Sequence, residues 1–400
     1  MTLPMRVLGV TGSRAEFGLL VSTLDAIAAR RELELLVAVL GAHFLPPART
    51  RDEVAARYPI AVEIPMQEAG TTRRLGDALA VARGVFGVAS ALDALRPDVV
   101  LVLGDRIEAF AAATAAAIAG VRVAHIHGGD RAEGVADESM RHAISKLAHV
   151  HFCATPTSAE RLRRMGEDER RIHVVGSPAI DGLADIPPLS DAAYAALGSP
   201  EIVVALHPTG APDEIEEARA IALISALRHR GRLFILEPNA DPGRDGILRA
   251  IKASGLPSRA HLPRPEFVGL LRRVRLLAGN SSAGLIEAAA LGVRVLNVGT
   301  RQVGRERAGN VVDCTSFEPA ALAASLEGMV GRPPEGGGLP GSGLPGSGQT
   351  TARPELTTTG QTSAQSPGHP YGSGQTGAQI AEILAHADPS AYPVSKRNTY

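Results

Sequence analysis

Residues 99–151 read VVLVLGDRIEAFAAATAAAIAGVRVAHIHGGDRAEGVADESMRHAISKLAHVH, and they decide the fold of this chain. An unbroken apolar run at 99–103 is typical of a strand that a parallel sheet buries on both faces. An alanine-rich helix and a second strand at 121–126 follow, and each strand ends in a cluster of titratable side chains. Loops after the carboxyl ends of parallel strands line the ligand crevice of such a sheet. This layout predicts an active site rather than a structural sheet.

The chain before this stretch repeats the order of strand, loop and helix. Residues 5–11 predict a strand that breaks at Gly12-Ser13-Arg14 and leads into a helix over 17–29. A glycine loop before a helix suits a bound phosphate, because backbone amides and the helix dipole favour an anion. The loop is not G-x-G-x-x-G, so it gives little support for dinucleotide binding.

The second half of the chain starts the same pattern afresh. Residues 180–199 contain Pro187-Pro188 and little apolar periodicity, which indicates a linker. A strand is predicted over 201–206, and Gly279-Asn280-Ser281-Ser282 precedes a later helix, where serine can cap the helix and donate to a phosphate. The predicted fold class is therefore α/β, with two Rossmann-like doubly wound domains and a nucleotide in the cleft between them.

Composition divides the chain further. A segment rich in Gly, Pro, Ser and Thr carries the repeat GLPGSGLPGSG. Such a composition buries too little apolar surface to offset its ordering entropy, which predicts a disordered insertion. The predicted parts are an N-terminal domain with the catalytic loops (1–185), a C-terminal nucleotide-binding domain (186–330), the insertion (331–369), and a helix and tail packing across both domains (370–400).

Charge and residue usage exclude several classes of function. The formal net charge is −1 and Trp is absent, so neither a basic field nor aromatic platforms favour a nucleic-acid partner. Cys153 and Cys314 are typical of small core residues rather than of a disulfide framework. We find no signal peptide and no apolar run long enough to cross a bilayer. The expectation is a cytoplasmic protein without a membrane partner.

The two strand-end loops hold the catalytic candidates. Carboxylates placed close together push their pKa values apart, which suits one as a base and another as an acid. The alternative is that some are solvated or cap a helix, as Asp137 or Glu138 would before the helix that bears Arg141. The candidates are Asp105, His127, Asp130, Glu133, Asp137, Glu138, Arg141 and His142.

Two histidines stand two residues apart on the predicted second strand. The spacing of His125 and His127 turns both imidazoles to the same side. A carboxylate could complete a metal site with them, but no third ligand has a diagnostic spacing, and we predict no metal. The alternatives are a packed histidine at 125 and an acid/base or hydrogen-bonding histidine at 127.

Other loops hold the anion-binding candidates. Arg14 and Arg301 could clamp phosphate oxygens in a bidentate manner, although a solvated arginine is the default. His207 ends the first strand of the second half, where it could meet a diphosphate or cap a turn. Glu287 lies about a turn and a half beyond Ser281. It could face solvent or accept hydrogen bonds from a ribose.

Five motifs carry a family resemblance: VTGSRAEFGLL, LGDRIEAFAAATAAAIAGVRVAHIHGGD, EGVADESMRHAISKLAHVHF, GNSSAGLIEAAALGV and NVGTRQVGRERAGNV. Together they resemble the hydrolysing UDP-N-acetylglucosamine 2-epimerases of sialic acid synthesis, over residues 5 to about 331 and 369–384. The resemblance implies a glycosyltransferase-B type fold with UDP between the domains. It implies conversion of UDP-N-acetylglucosamine and water to N-acetylmannosamine and UDP, without a metal or nicotinamide cofactor. We also expect a homo-oligomer, a dimer or a tetramer.

The resemblance assigns roles to particular positions. The expected catalytic set is matched by Asp105, Arg141 and Glu138 (or its neighbour Asp137). Some relatives carry a carboxylate at position 127, so His127 leaves one acid/base group open. Glu16 and Ser373 also stand where many relatives have Asp. The resemblance also implies six residues that hold UDP: Arg14, His207, Asn239, Ser281, Ser282 and Glu287. We add His43 and Arg301 to the predicted substrate-binding residues.

Several alternatives stay open from the sequence. A close branch of the family performs the same chemistry on UDP-2,4-diacetamido-2,4,6-trideoxyglucose, on the way to legionaminic acid. A UDP-sugar glycosyltransferase shares the fold but leaves C2 of the sugar untouched. A non-hydrolysing epimerase keeps its product attached to UDP, and a nucleotide-sugar sensor binds without turnover.

Overall fold

The computed structural model describes residues 3–46, 49–69, 74–132, 137–238, 241–329, 369–387, 393–396 and 399. The predicted insertion at 331–369 lies outside these residues except for His369. Glu133 and Asn239, a predicted catalytic residue and a predicted UDP ligand, lie outside them as well.

The first sheet contains seven parallel strands among the described residues, in the order β3-β2-β1-β4-β5-β6-β7. Its strands are β1 (Met5–Thr11), β2 (Leu33–Leu40), β3 (Ile60–Ile64), β4 (Val99–Leu103), β5 (Arg122–Ile126), β6 (Val150–Cys153) and β7 (Ile172–Val174). The helices between them are α1 (Arg14–Ala28), α2 (Arg51–Ala55), α3 (Arg74–Leu95), α4 (Ile107–Ile118), α5 (Asp137–Leu147) and α6 (Pro156–Arg164).

The second sheet has six parallel strands in the described part, in the order β10-β9-β8-β11-β12-β13. Its strands are β8 (Ile202–Ala205), β9 (Leu233–Leu236), β10 (Ser258–Arg259), β11 (Leu276–Gly279), β12 (Arg294–Val298) and β13 (Val311–Cys314). The remaining helices are α7 (Asp191–Ala196), α8 (Asp213–Arg228), α9 (Arg244–Ser254), α10 (Arg264–Leu271), α11 (Pro319–Met329) and α12 (Thr376–His386). The predicted division at residue 185 lies between the two sheets.

Strand β4 shows why the first sheet is buried on both faces. All five of its residues are buried. Val99, Leu101 and Leu103 pack on the side covered by α1 and α12. Val100 and Val102 pack on the opposite side, which α3 and α4 cover. An unbroken apolar run is what two covered faces require, and the predicted α/β class with two doubly wound domains is confirmed.

Helix α3 is long and apolar enough to cross a membrane by length and composition alone, and no other helix in the described part meets that test. It packs instead on α4 and β3. Ala80, Val88 and Leu92 bury its inner side in the core of the first domain. Because core helices pass the same test, α3 is weak evidence for a membrane span.

The last helix returns to the first domain. Asp181 accepts hydrogen bonds from the amides of Thr376 (2.9 Å) and Gly377 (2.7 Å), which caps the N-terminus of α12. A Cβ at residue 377 would lie 2.6 Å from the carbonyl group of Ser22 in α1. The two helices therefore approach this closely only because residue 377 is glycine.

The segment before α12 contacts the second domain. The His369 Nε2 lies 3.1 Å from the carbonyl oxygen of Ile286, and the Tyr371 hydroxyl donates to the carbonyl of Glu306 at 3.0 Å. Tyr371 is fully buried. Residues 369–386 thus contact both domains.

Candidate active site

The two strand ends that carry the catalytic candidates are neighbours in the sheet. Strands β4 and β5 pair in parallel with Leu103 opposite Ile126, and the Gly104 amide donates to the Ile126 carbonyl at 2.9 Å. Asp105 and His127 therefore leave the sheet at the same edge. Because β1 lies on the other side of β4, this edge adjoins the point where the strand order reverses. Ligands of α/β sheets bind at such points.

Helix α5 supplies an arginine and a glutamate to the Asp105 loop. Arg141 is buried, its Nη2 forms an ion pair with Asp105, and its Nη1 lies 3.5 Å from Glu138 Oε2. Glu138 also accepts from the Ala132 amide at 2.7 Å and lies 3.1 Å from His142 Nε2. Burial acts to raise the pKa of Glu138, but its hydrogen bonds from His142 and Ala132 outweigh burial and lower the pKa. Glu138 is thus an ionised carboxylate at neutral pH.

His127 and Asp130 form a buried pair after β5. The His127 Nδ1 lies 3.0 Å from Asp130 Oδ2, and its Nε2 lies 2.9 Å from Ser177 Oγ. The Ser158 hydroxyl donates to Asp130 Oδ1 at 2.8 Å. Burial acts to raise the pKa of Asp130, but the charge and hydrogen bond of His127 lower it below its usual range. A carboxylate that orients an imidazole is a common device for acid/base chemistry.

The turn at 127–130 needs unusual backbone angles. His127 has a φ of 66°, an uncommon conformation for a residue other than glycine. Gly129 has a φ of 77°, and a Cβ there would collide with the Ser158 carbonyl of α6. Gly129 of the HGGD motif thus lets the turn pack tightly on α6, where Asp130 meets Ser158.

His125 lies in the interior, on a different set of partners from His127. Its Nε2 lies 2.7 Å from the Gly104 carbonyl and its Nδ1 lies 3.2 Å from Ser145 Oγ. Burial lowers the pKa of His125 to about 3, so the ring is neutral. The sequence predicts that the two imidazoles lie on the same side of the strand. In the structure, His125 and His127 have different hydrogen-bonding partners. Within the described ranges, no group of three His, Cys, Asp or Glu residues is placed to hold a metal ion.

His43, a predicted substrate ligand, is fully buried. Its two ring nitrogens lie 2.9 Å from Thr11 Oγ1 and 2.7 Å from Thr50 Oγ1. Burial lowers its pKa to about 4. The structure therefore uses both nitrogens of His43 to tie the end of β1 to the loop after β2, and leaves neither for a ligand.

Sequence reasoning gave no role to two charged residues that follow Asp105, Arg106 and Glu108, and named Glu16 only as a departure from many relatives. Glu108 is fully buried, accepts from the Ala42 amide at 3.3 Å, and lies 3.3 Å from Arg106 Nε. Arg106 Nη1 faces Asp241 of the second domain at 4.0 Å. Burial and the nearby Glu108 raise the pKa of Glu16 to about 8. The signal was available, because GDRIE places an arginine and a glutamate directly after the catalytic candidate.

The second domain contributes a turn suited to an anion. His207 and Asn280 join the ends of β8 and β11, since Asn280 accepts from the His207 amide at 2.7 Å and donates to its carbonyl at 2.8 Å. Ser281 Oγ accepts from the Ala283 amide at 3.3 Å, at the start of a helix over 282–290 whose residues Gly284–Ala288 are π-helical. Burial lowers the pKa of His207 to about 3. Both predicted serines, Ser281 and Ser282, therefore stand at a helix start.

Glu287 lies on that helix and faces the first domain. Its Oε1 is 3.6 Å from Arg264 Nη1. Burial raises the pKa of Glu287, while Arg264, Arg305 and His127 oppose the rise. The charge of His127 in the first domain thus acts on Glu287 in the second.

Two arginines, Arg161 and Arg305, bridge the boundary between the two domains. Arg161 of α6 donates to the carbonyls of Gly129 (3.1 Å) and Gly304 (3.0 Å) and pairs with Glu306 at 2.9 Å. The Arg305 Nε donates to the Arg131 carbonyl at 3.3 Å. These contacts fix the HGGD turn against the second domain.

Two predicted arginine ligands lie at the same boundary. The Arg14 Nη2 donates to the Ala260 carbonyl at 3.4 Å across the domains, and burial lowers its pKa. The Arg301 Nη1 donates to the Asn280 carbonyl at 3.3 Å, beside the turn that contains Ser281. The structure thus places Arg14 on the domain boundary, Arg301 beside Asn280 and His43 in the interior, while Glu133 and Asn239 lie outside the described residues. Asp137 begins α5.

A family model described as UDP-N-acetylglucosamine 2-epimerase matches residues 25–335. The chain belongs to this epimerase family. A UDP-N,N'-diacetylbacillosamine 2-epimerase (hydrolyzing) from Legionella pneumophila is 36% identical over 336 residues, which cover 81% of this chain and 89% of the relative. A UDP-N-acetylglucosamine 2-epimerase from Neisseria meningitidis is 33% identical over 339 residues, with 80% and 86% covered. The resemblance inferred from the five motifs is confirmed.

Solved structures of other epimerases share the fold. The Neisseria meningitidis UDP-GlcNAc 2-epimerase bound to UDP-GlcNAc has a TM-score of 0.74 at 19% identity and covers 96% of this epimerase and 100% of that chain. The Methanocaldococcus jannaschii UDP-GlcNAc 2-epimerase in complex with UDP-GlcNAc and UDP has a TM-score of 0.74 at 17% identity, with 96% and 100% covered. The expected glycosyltransferase-B-like architecture is confirmed.

Proposed function

We propose that this epimerase hydrolyses its substrate, converting UDP-N-acetylglucosamine and water to N-acetylmannosamine and UDP. One observation carries the proposal. The His127–Asp130 turn, at the same sheet edge as Asp105, is held against the second domain by Arg161, which donates to the Gly129 carbonyl and pairs with Glu306. Inverting C2 of a sugar needs a base on one face and an acid on the other. Two separate acid/base networks at one cleft fit that need better than they fit glycosyl transfer.

The second domain would bind UDP. The N-terminal amides of helix 282–290 and the Ser281 hydroxyl suit the diphosphate, with Arg14 and Arg301 adding charge. His207 is neutral at neutral pH, because burial lowers its pKa to about 3. An arriving diphosphate favours its protonated form. Glu287 would accept hydrogen bonds from the ribose hydroxyls.

The first step would be an elimination. The bond between C1 and the diphosphate oxygen breaks, and its electron pair leaves with UDP. A base takes the C2 proton, and the C–H electron pair becomes the C1–C2 double bond of a glycal. Groups that stabilise the leaving diphosphate lower the barrier because its charge develops in the transition state.

The second step would add water. The water oxygen bonds to C1, its proton passes to a base, and an acid protonates C2 on the opposite face. Asp105, ion-paired with Arg141, and His127, oriented by Asp130, are the proposed proton carriers. They follow adjacent strands and belong to separate hydrogen-bonded networks. Asp137, Glu138 and Arg141 would position Asp105 and the sugar.

Turnover in D₂O tests the reaction. We expect free UDP and N-acetylmannosamine with one deuterium at C2, read by NMR and mass spectrometry. Unlabelled C2 would contradict elimination and favour a glycosyltransferase. Product still attached to UDP would show a non-hydrolysing epimerase, and binding without release of UDP would show a sensor.

A second substrate has a specific observation in its favour. The Legionella pneumophila relative is named for UDP-N,N'-diacetylbacillosamine and is 36% identical to this chain, against 33% for the Neisseria meningitidis relative named for UDP-N-acetylglucosamine. The same elimination would apply, because the two sugars share their C1 and C2 chemistry. The ratio of kcat/KM for the two UDP-sugars decides between them.

A further inference from the structure

The proposed reaction leaves one buried cluster of charges without a role. The Glu167 carboxylate lies 2.7 Å from Lys146 Nζ, 2.6 Å from Lys396 Nζ and 3.0 Å from His151 Nε2. The side chain of Glu167 is 2% exposed. Lys146 belongs to the last turn of α5 and His151 to β6, whereas Lys396 comes from the tail beyond α12. The tail thus places a charge inside the first domain.

Lys396 also contacts the end of α5. Its Nζ donates to the Lys146 carbonyl at 2.7 Å and lies 3.5 Å from the Ser145 carbonyl. The last carbonyls of a helix have no partner within it, and a lysine there satisfies them and complements the helix dipole. Lys396 is therefore a helix cap from 250 residues further along the chain.

Two further contacts fix the tail on either side of Lys396. The Val394 carbonyl lies 3.0 Å from His149 Nε2, and the Thr399 amide donates to the Gly166 carbonyl at 3.0 Å. Val394, Lys396 and Thr399 of the described tail thus all contact the first domain.

Helix α5 carries the side chains that hold Asp105. Glu138 and Arg141 project from it, and Ser145 on its last turn contacts His125, which contacts the Gly104 carbonyl just before Asp105. A shift of the end of α5 would move both connections to the Asp105 loop. When a distant change misplaces a reacting group by about 1 Å, the rate can fall on the order of 100-fold.

We propose that Lys396 is a positioning residue of this epimerase, acting through the C-terminal end of α5 on Arg141 and Asp105. It touches no substrate. The activity arm of the test rests on the proposed function, whereas the hydrogen-exchange arm does not depend on it.

The first experiment compares Lys396→Met with Lys252→Met, which changes an exposed lysine of α9. We expect Lys396→Met to lower kcat about 10-fold and to leave KM within about twofold, because the second domain binds UDP. Lys252→Met should match wild type. A kcat for Lys396→Met within twofold of wild type would overturn the proposal.

The second experiment measures amide hydrogen exchange without substrate. We expect exchange over residues 137–147 to be about 10-fold faster in Lys396→Met, with α8 unchanged. Unchanged exchange in α5 would overturn the proposal. If the exchange changes while the wild-type protein releases no UDP, the proposed function fails and the role of Lys396 in holding α5 stands.

A chemical rescue separates the ammonium group from general damage to the fold. Lys396→Cys treated with 2-bromoethylamine regains a side chain of lysine length and charge. Cys153 and Cys314 are buried and leave residue 396 as the reactive thiol. We expect the treatment to restore at least half of kcat and the slow exchange of α5, and treated wild type to be unchanged. A loss that persists after treatment would overturn the proposal.

Discussion

The two domains share one architecture and treat their buried charges in opposite ways. In the first domain, hydrogen-bonded partners outweigh burial and lower the pKa values of Asp130, Glu138 and Glu167. In the second, burial prevails, raising the pKa of Glu287 and lowering that of His207. At these three carboxylates of the first domain the partners outweigh burial, whereas at Glu287 of the second domain burial outweighs the pairing with Arg264.

This difference teaches a division of labour. Groups that move protons need fixed neighbours, because catalysis depends on preorganised geometry. Groups that bind a charged ligand gain most when the ligand supplies the missing partner. Burial also prevails at other groups of the first domain: with the charge of Glu108 it raises the pKa of Glu16 to about 8, it raises the pKa of Asp181, and it lowers the pKa of His125 to about 3.

The largest expected effect comes from Asp105→Asn in the first domain. It removes a proposed proton carrier and the partner of Arg141, so we expect kcat to fall about 1,000-fold. UDP affinity, measured by calorimetry, should stay within about twofold. Asp93→Asn, on the exposed side of α3, is the control. A large loss of UDP affinity would break the proposed division between the domains.

Acid should remove the stabilisation that Glu167 gives to the first domain. Burial acts to raise the pKa of Glu167, but His151, Lys146 and Lys396 lower it to about 2, against an ordinary 4.5. Its stabilisation is therefore present above pH 4.5 and lost as the pH falls through 2. The pKa of Glu287 is raised instead, so protonation of Glu287 in acid does not lower the free energy of unfolding.

The variant Glu167→Gln tests how the stabilisation by Glu167 depends on pH. We expect it to lower the free energy of unfolding by about 2 kcal/mol at pH 6, and the difference from wild type to shrink between pH 4.5 and 2. Urea unfolding followed by hydrogen exchange reports each domain separately. Glu214→Gln, at an exposed position of α8, is the control. A difference that grows with acid would refute the assignment.

A binding variant in the second domain should show the converse of Asp105→Asn. Glu287→Gln keeps the shape and removes the charge, and we expect UDP to bind about 10-fold more weakly, with kcat within about threefold. Glu266→Gln, at an exposed position of α10, is the control. A fall in kcat at unchanged UDP affinity would assign Glu287 to the chemistry instead.

The smallest effect concerns the link between the domains. Arg161→Met and Glu306→Gln should each lower kcat/KM about fivefold, because Arg161 fixes the HGGD turn against Glu306. The double variant should lose less than the sum of the two, with a coupling of about 1 kcal/mol. Additive losses would show that the two side chains act independently.

Sequence patterns predicted what depends on neighbours along the chain. The five apolar residues of β4 predicted a strand covered on both faces, and strand ends predicted that Asp105 and His127 lie at one edge. The short outer strands β10 and β13 were missed, because two and four residues carry too little periodicity. The roles of the site residues stay predictions.

What the sequence did not reveal depends on distant partners. The interior position of His43 follows from Thr11, 32 residues before it, and from Thr50. The positive φ of His127 belongs to a turn whose Gly129 packs against α6, far along the chain. Lys396 looks like any tail lysine until the fold brings it to Glu167.

The docking of α12 on α1 has a consequence for biosynthesis. The second sheet, which spans 202–314, can form during translation before residues 376–386 have been synthesised. Leu20, Leu24 and Ile27 of α1 stay exposed until α12 covers them. Nascent chains at that stage expose the kind of apolar surface that chaperones capture. Only a chain that has been translated past α12 can therefore bury that surface.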